Sequence, residues 1–382
     1  MKNQPFKILI DNSGFTNRGD QLMIQAVVEQ IRHNQPDAQI LVRRTAFEQN
    51  PSYCLQNKLY PCELKNSGIK RSKLYVRIVN TLLRDNWINT PRDVDVILDC
   101  RGYHLADWRI KNQDYVDALK KYYSQFCKKG RKIILLPQAF GPFENPYSRQ
   151  AMEIVYEQAD YIYAREIVSF KYLQQVCPST EKLDIAPDFT CVIEEKRQRS
   201  ILLPPKQYML IIPNAKMIEQ GKNVAHSKYI DFLVQLSQFL REKGENVYLL
   251  NHEGEQDEEL LRQVNKLFTD PFPILSNLSG MEIRAIIAEA KMLISGRFHG
   301  LVSGLTQDVP TLCTAWSHKY LELLKEHNCE QNILDVNDIE ISLQKVQNAL
   351  ETPKEYSSFN GCNEHVRSQI YQMWNSIFAR IK

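Results

Sequence analysis

The stretch Lys291–Pro310, KMLISGRFHGLVSGLTQDVP, decides the fold, because within it the apolar period changes from that of a strand to that of a helix. Lys291–Ser295 reads as a buried strand, Gly296–Phe298 as a loop, and His299 onward as a short helix that ends before Val309–Pro310. Ligands of open α/β sheets bind beyond the carboxyl ends of the strands, where loops lead into helix N-termini. An arginine and a histidine at such an end are costly to bury, and they suit an anion clamp beside a group that transfers protons near neutral pH. Arg297 is expected at the mouth of a cleft and His299 in the first helical turn, with His318–Lys319 downstream.

Working outward, the same unit recurs along the chain. Short runs rich in Ile, Leu and Val read as buried parallel strands at Phe6–Ile10, Val94–Leu98, Lys132–Leu136, Tyr161–Tyr163, Tyr208–Ile212, Asn246–Leu250 and Lys291–Ile294. Helical patterns lie between them at Gln21–Ile31, Tyr115–Cys127, Arg149–Gln158, Tyr229–Glu242, Glu258–Leu267 and Met281–Glu289. This alternation predicts an α/β chain of two Rossmann-like domains facing each other across a cleft. The charged, proline-bearing segment Glu194–Gln207 marks the boundary, giving domains over 1–198 and 199–363. A terminal helix over 364–382, with Val366, Ile370, Met373, Trp374 and Ile377 on one face, is expected to pack across the junction.

Bulk composition narrows the classes. The 382 residues are 43% hydrophobic and 24% charged, and 48 basic against 45 acidic residues leave a net charge of +3, so whole-chain electrostatics do not argue for nucleic acid and no such partner is expected. Nine scattered cysteines without a CxxC pair predict reduced thiols in a cytoplasmic protein. The opening MKNQPFKILIDNSG has too short an apolar run for a secretory signal, and no stretch approaches the ~18 apolar residues of a membrane span. One local anomaly is Lys65–Arg84, basic and amphipathic, where peripheral contact with an anionic membrane competes with a solvated helix face.

Other strand exits carry polar clusters. DNSGFTNRGDQLM offers Asn17, Gly19 and Asp20 to an anion, or uses Asp20 as a helix N-cap. VILDCRGYHLADW offers Arg101, His104 and Asp107 to a sugar or an anion, and KIILLPQAFGPF ends in Gln138 before Gly141–Pro142. In YIYAREIVSF, Arg165 either forks onto a carboxylate or phosphate or pairs with Glu166 or another acid. The spacing fits neither GxGxxG nor a Walker lysine, NHEGEQDEE is not HExxH, and GLVSG is one place off a GxSxG elbow.

Taken in order, NSGFTNRGDQLM, VILDCRGYHLAD, LLPQAFGPF, ADYIYAREIVSFKYL with APDF, and SGRFHGLVSGLTQDVPTLCTAWSHKY resemble the polysaccharide pyruvyl transferase family over about residues 8–320. Cys100–Arg101–Gly102 departs from the family's two or three glycines, and Phe298 from its commoner leucine. The resemblance implies a GT-B-like architecture and transfer of a pyruvyl group from phosphoenolpyruvate onto two sugar hydroxyls, forming a cyclic ketal on a surface glycan. It implies that Arg297 and Arg165 fork onto the donor's anionic groups, that Lys319 adds a third charge, and that His299 is the acid/base. No metal or organic cofactor is required by this chemistry, and the acceptor would be a glycan carried on a lipid diphosphate. Two rivals stay open: a glycosyltransferase of the same architecture, with Glu253 or Glu255 on a ribose, and an inactive glycan-binding relative.

Overall fold

The computed structural model describes residues 5–64, 89–126, 130–194, 204, 207–219, 225–358 and 361–381. The basic stretch Lys65–Arg84 lies outside the described residues, as does most of the expected boundary segment. The chain divides into two compact units. The first holds Met1–Phe15, Met23–Phe189 and Gln369–Lys382; the second holds Thr16–Leu22 and Thr190–Ser368.

The first unit is built on a seven-stranded sheet in the order β3-β2-β1-β4-β5-β6-β7. Its strands are β1 Lys7–Asp11, β2 Gln39–Arg43, β3 Leu59–Cys62, β4 Val96–Asp99, β5 Lys132–Gln138, β6 Tyr161–Ala164 and β7 Leu183–Ile185. The second unit has a five-stranded sheet in the order β10-β9-β8-β11-β12. It comprises β8 Tyr208–Ile212, β9 Asn246–Leu250, β10 Ile274–Leu275, β11 Met292–Ser295 and β12 Thr311–Cys313. Every pairing between neighbouring strands is parallel.

Burial on both faces explains why these strands read as continuous apolar runs. In the second sheet Met209, Ile211, Val247, Leu249, Met292 and Ile294 join one core with Phe232, Leu236 and Leu240 of helix His226–Glu242. Their alternates Tyr208, Leu210, Ile212, Leu250 and Leu293 pack on Ile283, Ile286 and Ile287 of helix Gly280–Ala288. Two-residue alternation therefore feeds a helical layer on each side, as a doubly wound sheet requires. Both strand orders reverse direction once, between β1 and β4 in the first sheet and between β8 and β11 in the second. These two reversals are the topological switch points.

All seven strands expected from the sequence are present, within one or two residues of their predicted ends. Among the described residues there are five more, β2, β3, β7, β10 and β12, of which all but β2 have four residues or fewer. Strand β3 even contains Pro61, which is tolerated because β3 is the sheet edge. The terminal helix runs Cys362–Arg380, and the predicted stripe Val366, Ile370, Met373, Trp374 and Ile377 is buried.

Candidate functional site

The opening stretch lies at the switch point of the second sheet. Strand β11 ends at Ser295, whose hydroxyl accepts from the Arg297 N–H at 3.1 Å and donates to the Arg297 carbonyl at 2.9 Å, closing a tight loop. The Gly296 carbonyl accepts from Asn214 Nδ2 at 2.7 Å and from Tyr320 OH at 2.9 Å, so the exit of β8 and the helix His318–Glu326 hold the loop from two sides. Helix Phe298–Thr306 then lies hard against the sheet. A Cβ at Gly300 would meet Ser295 Oγ at 2.6 Å, and one at Gly304 would meet Leu293 Cδ2 at 2.8 Å. Arg297 stands at the N-cap position without capping through its side chain, and the positive end of the helix dipole there favours an anion.

The Arg297 guanidinium is not an open fork. Its Nε donates to Asp257 Oδ2 at 2.8 Å and its Nη2 to Asp257 Oδ1, while Nη1 pairs with Glu253 Oε2. Asp257 is wholly buried and also accepts from the Ala215 N–H at 3.0 Å, so it fixes the arginine to the exit of β8. Glu253 is different: its side chain is 32% exposed, and its other oxygen accepts from Asn17 Nδ2 at 2.8 Å. A carboxylate thus occupies the outward edge of Arg297 and ties it to the loop before helix Arg18–Asn34.

That loop carries a correction. Asn17, not Asp20, caps the helix: its Oδ1 accepts from the N–H of Gly19 at 2.7 Å and of Asp20 at 3.3 Å. The helix starts at Arg18, so Asp20 falls in the first turn, where a carboxylate faces the positive end of the dipole. Gly19 lies under the His299 ring. A Cβ there would stand 2.8 Å from Cε1 and 3.0 Å from Cγ of the imidazole, and closer still to Nδ1. The same segment is pinned further along, where Gln21 Oε1 accepts from the Gly280 N–H at 2.7 Å. Lys319 completes the neighbourhood, its ammonium over the rings of Trp316 at 4.9 Å and Phe298 at 5.3 Å.

In the first unit the corresponding switch point is occupied by its own charges. Asp11 and Asp99 are register partners on β1 and β4. Arg43 pairs with Asp11, Arg101 Nε with Asp99 at 2.8 Å, and Asn12 Nδ2 donates to Asp99 at 2.7 Å. Burial alone would raise the Asp11 carboxyl, but Arg43, Tyr122 and the Asn12 N–H hold it below its usual range. For Asp99 burial wins over Arg101 and the value rises. Of Cys100–Arg101–Gly102 only Gly102 takes a positive φ, +70°, the conformation for which a glycine is kept.

Thus the structure brings Arg297, His299, Asn17, Gly19 and Lys319 into one unit, and places Arg101, His104, Asp107, Gln138 and Arg165 in the other. Arg165 is buried and paired with Asp188 at 2.9 Å, and Glu166 caps helix Ile167–Val176. The Asp107 carboxylate is spent on the turn before helix Pro146–Gln158, accepting from Glu144 N at 2.9 Å, Asn145 Nδ2 at 2.7 Å and Ser148 Oγ. Gln138 is fully buried, and its Oε1 accepts from no described residue; His104 is exposed with its ring edge on Trp108. The sequence reading missed Asp257, Glu253 on Arg297, and His252. Yet NHEGEQD follows strand β9 as directly as SGRFH follows β11, and the strand-exit rule would have flagged it.

A family model described as polysaccharide pyruvyl transferase matches residues 17–318. The amylovoran biosynthesis protein AmsJ of Erwinia amylovora is 18% identical over 372 residues, spanning 87% of this chain and 88% of that protein. UDP-GlcNAc 2-epimerase from Neisseria meningitidis, solved bound to UDP-GlcNAc, matches with a TM-score of 0.63 at 8% identity, over 98% of this chain and 100% of that one. Anabaena Alr3699/HepE, solved with UDP-glucose, gives 0.59 at 13% identity over 98% of each chain. At such identities the structural likeness shows the fold alone, a GT-B-like α/β architecture with two parallel sheets. No helix among the described residues is long and apolar enough to cross a membrane.

Proposed function

Because this chain belongs to the polysaccharide pyruvyl transferase family, an enzyme family of polysaccharide biosynthesis, we propose that it transfers a pyruvyl group from phosphoenolpyruvate onto two hydroxyls of a glycan, forming a cyclic ketal. The observation that carries the donor assignment is the placing of Arg297 and His299 together at the switch point of the second sheet, at the N-terminus of helix Phe298–Thr306. Phosphoenolpyruvate brings a carboxylate and a phosphate, and Arg297, Lys319 and the helix N-terminus supply complementary charge. Glu253 must leave Arg297 Nη1 for the anion to take its place.

His299 then delivers a proton to the methylene carbon, generating an oxocarbenium-like centre that the first hydroxyl attacks. Phosphate leaves as the carbon–oxygen bond breaks, and the second hydroxyl closes the ring. Of the two hydroxyl protons, one balances that on the new methyl group and the other departs on phosphate. A well-placed proton transfer contributes about 10²–10⁴-fold in rate. We assign acceptor recognition to the strand ends of the first unit, with exposed His104 and buried Gln138 as contacts; Asp107, spent on its turn, drops out. The glycan's lipid-diphosphate carrier belongs to the same proposal.

A glycosyltransferase reading is less well supported, since the acid it needs for a ribose, Glu253, is engaged with Arg297 and Asn17. Thermal-shift titration separates the two. Phosphoenolpyruvate should raise the melting temperature and nucleotide sugars should not; the reverse pattern rejects the proposal.

A further inference from the structure

His252 follows strand β9 and is 3% exposed, and neither of its ring nitrogens hydrogen-bonds to any described residue. A buried polar group left unsatisfied costs about 1–3 kcal/mol, so such a group calls for an explanation. Its position supplies one. The next residue is Glu253, which holds Arg297, and the positive charges of Arg297, His299 and Arg18 all act on the His252 ring. Burial first, and those charges second, keep the imidazole well below its ordinary pKa and therefore neutral. A neutral imidazole offers one N–H donor and one acceptor nitrogen.

We infer that His252 is a further ligand-binding residue of the Arg297–His299 site, donating its N–H to an oxyanion of the phosphorylated donor and accepting from a hydroxyl with its other nitrogen. The identity of the donor rests on the pyruvyl reading; the oxyanion contact does not. A cation at this place would add attraction without direction. A neutral ring among cations instead fixes one oxygen by hydrogen-bond geometry and leaves His299 to carry the mobile proton. Because the ring nitrogens hydrogen-bond to no described residue, replacement by an apolar residue of similar size relieves a buried polar cost while removing the contact with ligand.

The test is calorimetric titration of the full chain and its His252→Leu variant with phosphoenolpyruvate and, separately, inorganic phosphate, alongside thermal melts. The expected result is a melting temperature equal to or above wild type, with donor affinity weakened about tenfold or more, the worth of one buried hydrogen bond. Equal affinity in the two proteins overturns the inference. If wild type binds phosphate but not phosphoenolpyruvate, the pyruvyl reading fails, and loss of phosphate binding in the variant still upholds His252. If wild type binds neither, no oxyanion site exists and the inference fails with it. Should His252→Leu not fold, nitrogen-labelled histidine spectra of wild type carry the test. The His252 ring signals shift on adding either anion, and unmoved signals overturn the assignment.

Discussion

Gly19→Ala separates stability from activity. The substitution lies in the first turn of helix Arg18–Asn34, where alanine is favoured over glycine by about 0.5–1 kcal/mol through backbone entropy. The new Cβ, however, would stand 2.8 Å from His299 Cε1 and 3.0 Å from Cγ. Carbon contacts are optimal near 3.5–4.0 Å, so the imidazole must withdraw by roughly an ångström. A displacement of that size at a reacting group costs about 100-fold in rate, or about 2.7 kcal/mol of transition-state stabilisation. The variant should therefore melt at or near the wild-type temperature while phosphate release from phosphoenolpyruvate, measured with acceptor present, falls by about two orders of magnitude. Phosphoenolpyruvate affinity should change far less than turnover, since Arg297 and Lys319 are untouched. Wild-type turnover in Gly19→Ala would refute the placement of His299 as the proton donor.

Three further outcomes follow from the same geometry. Glu253→Gln removes the internal anion from Arg297 Nη1; a partly exposed ion pair is worth about 0.2–1 kcal/mol, so phosphate and phosphoenolpyruvate should bind up to about fivefold more tightly by calorimetry. Asp257→Ala strips the buried side of the same arginine and should destabilise the protein by about 3–5 kcal/mol in chemical denaturation, with Asp257→Asn milder; an unchanged midpoint would deny its orienting role. Acid should loosen the fold before the carboxylates titrate. His252 is held well below its ordinary value and burial pushes His327 down to about 4, so below about pH 6.5 the unfolded chain takes up protons that the folded chain refuses. His327 then withdraws about 1.4 kcal/mol per pH unit as pH falls from 6.5 toward 4, His252 acts in the same direction, and neither contributes above 6.5; His327→Gln should reduce that slope, and a flat melting temperature from pH 7 to 5 would contradict it.

The sequence carried the architecture because strands buried on both faces must be apolar throughout, and runs such as YMLII and KIILL have no other reading at their length. It missed LYPC and the two-residue β10 because pairing at a sheet edge is decided by neighbours rather than by local pattern. Arg297 and His299 were legible from the strand-exit rule. Their partners were not, since an arginine in a string of letters gives no sign that Asp257, forty places earlier, will claim its inner edge. At Asp107 the sequence leaves turn and ligand alike open, and the structure shows the carboxylate accepting from the turn before helix Pro146–Gln158. His252 left a mark that could have been read, a histidine directly after a buried strand, but only the tertiary structure shows it buried with neither ring nitrogen hydrogen-bonded to a described residue.

The most direct test of pyruvyl transfer at Arg297–His299 is mass spectrometry of glycan acceptors incubated with the enzyme and phosphoenolpyruvate in heavy water. The account predicts an acceptor heavier by one pyruvate less one water, with a single solvent deuterium in the new methyl group, and no such product from correctly folded His299→Ala. An unmodified acceptor with phosphoenolpyruvate, together with glycosyl transfer from a nucleotide sugar, would contradict it.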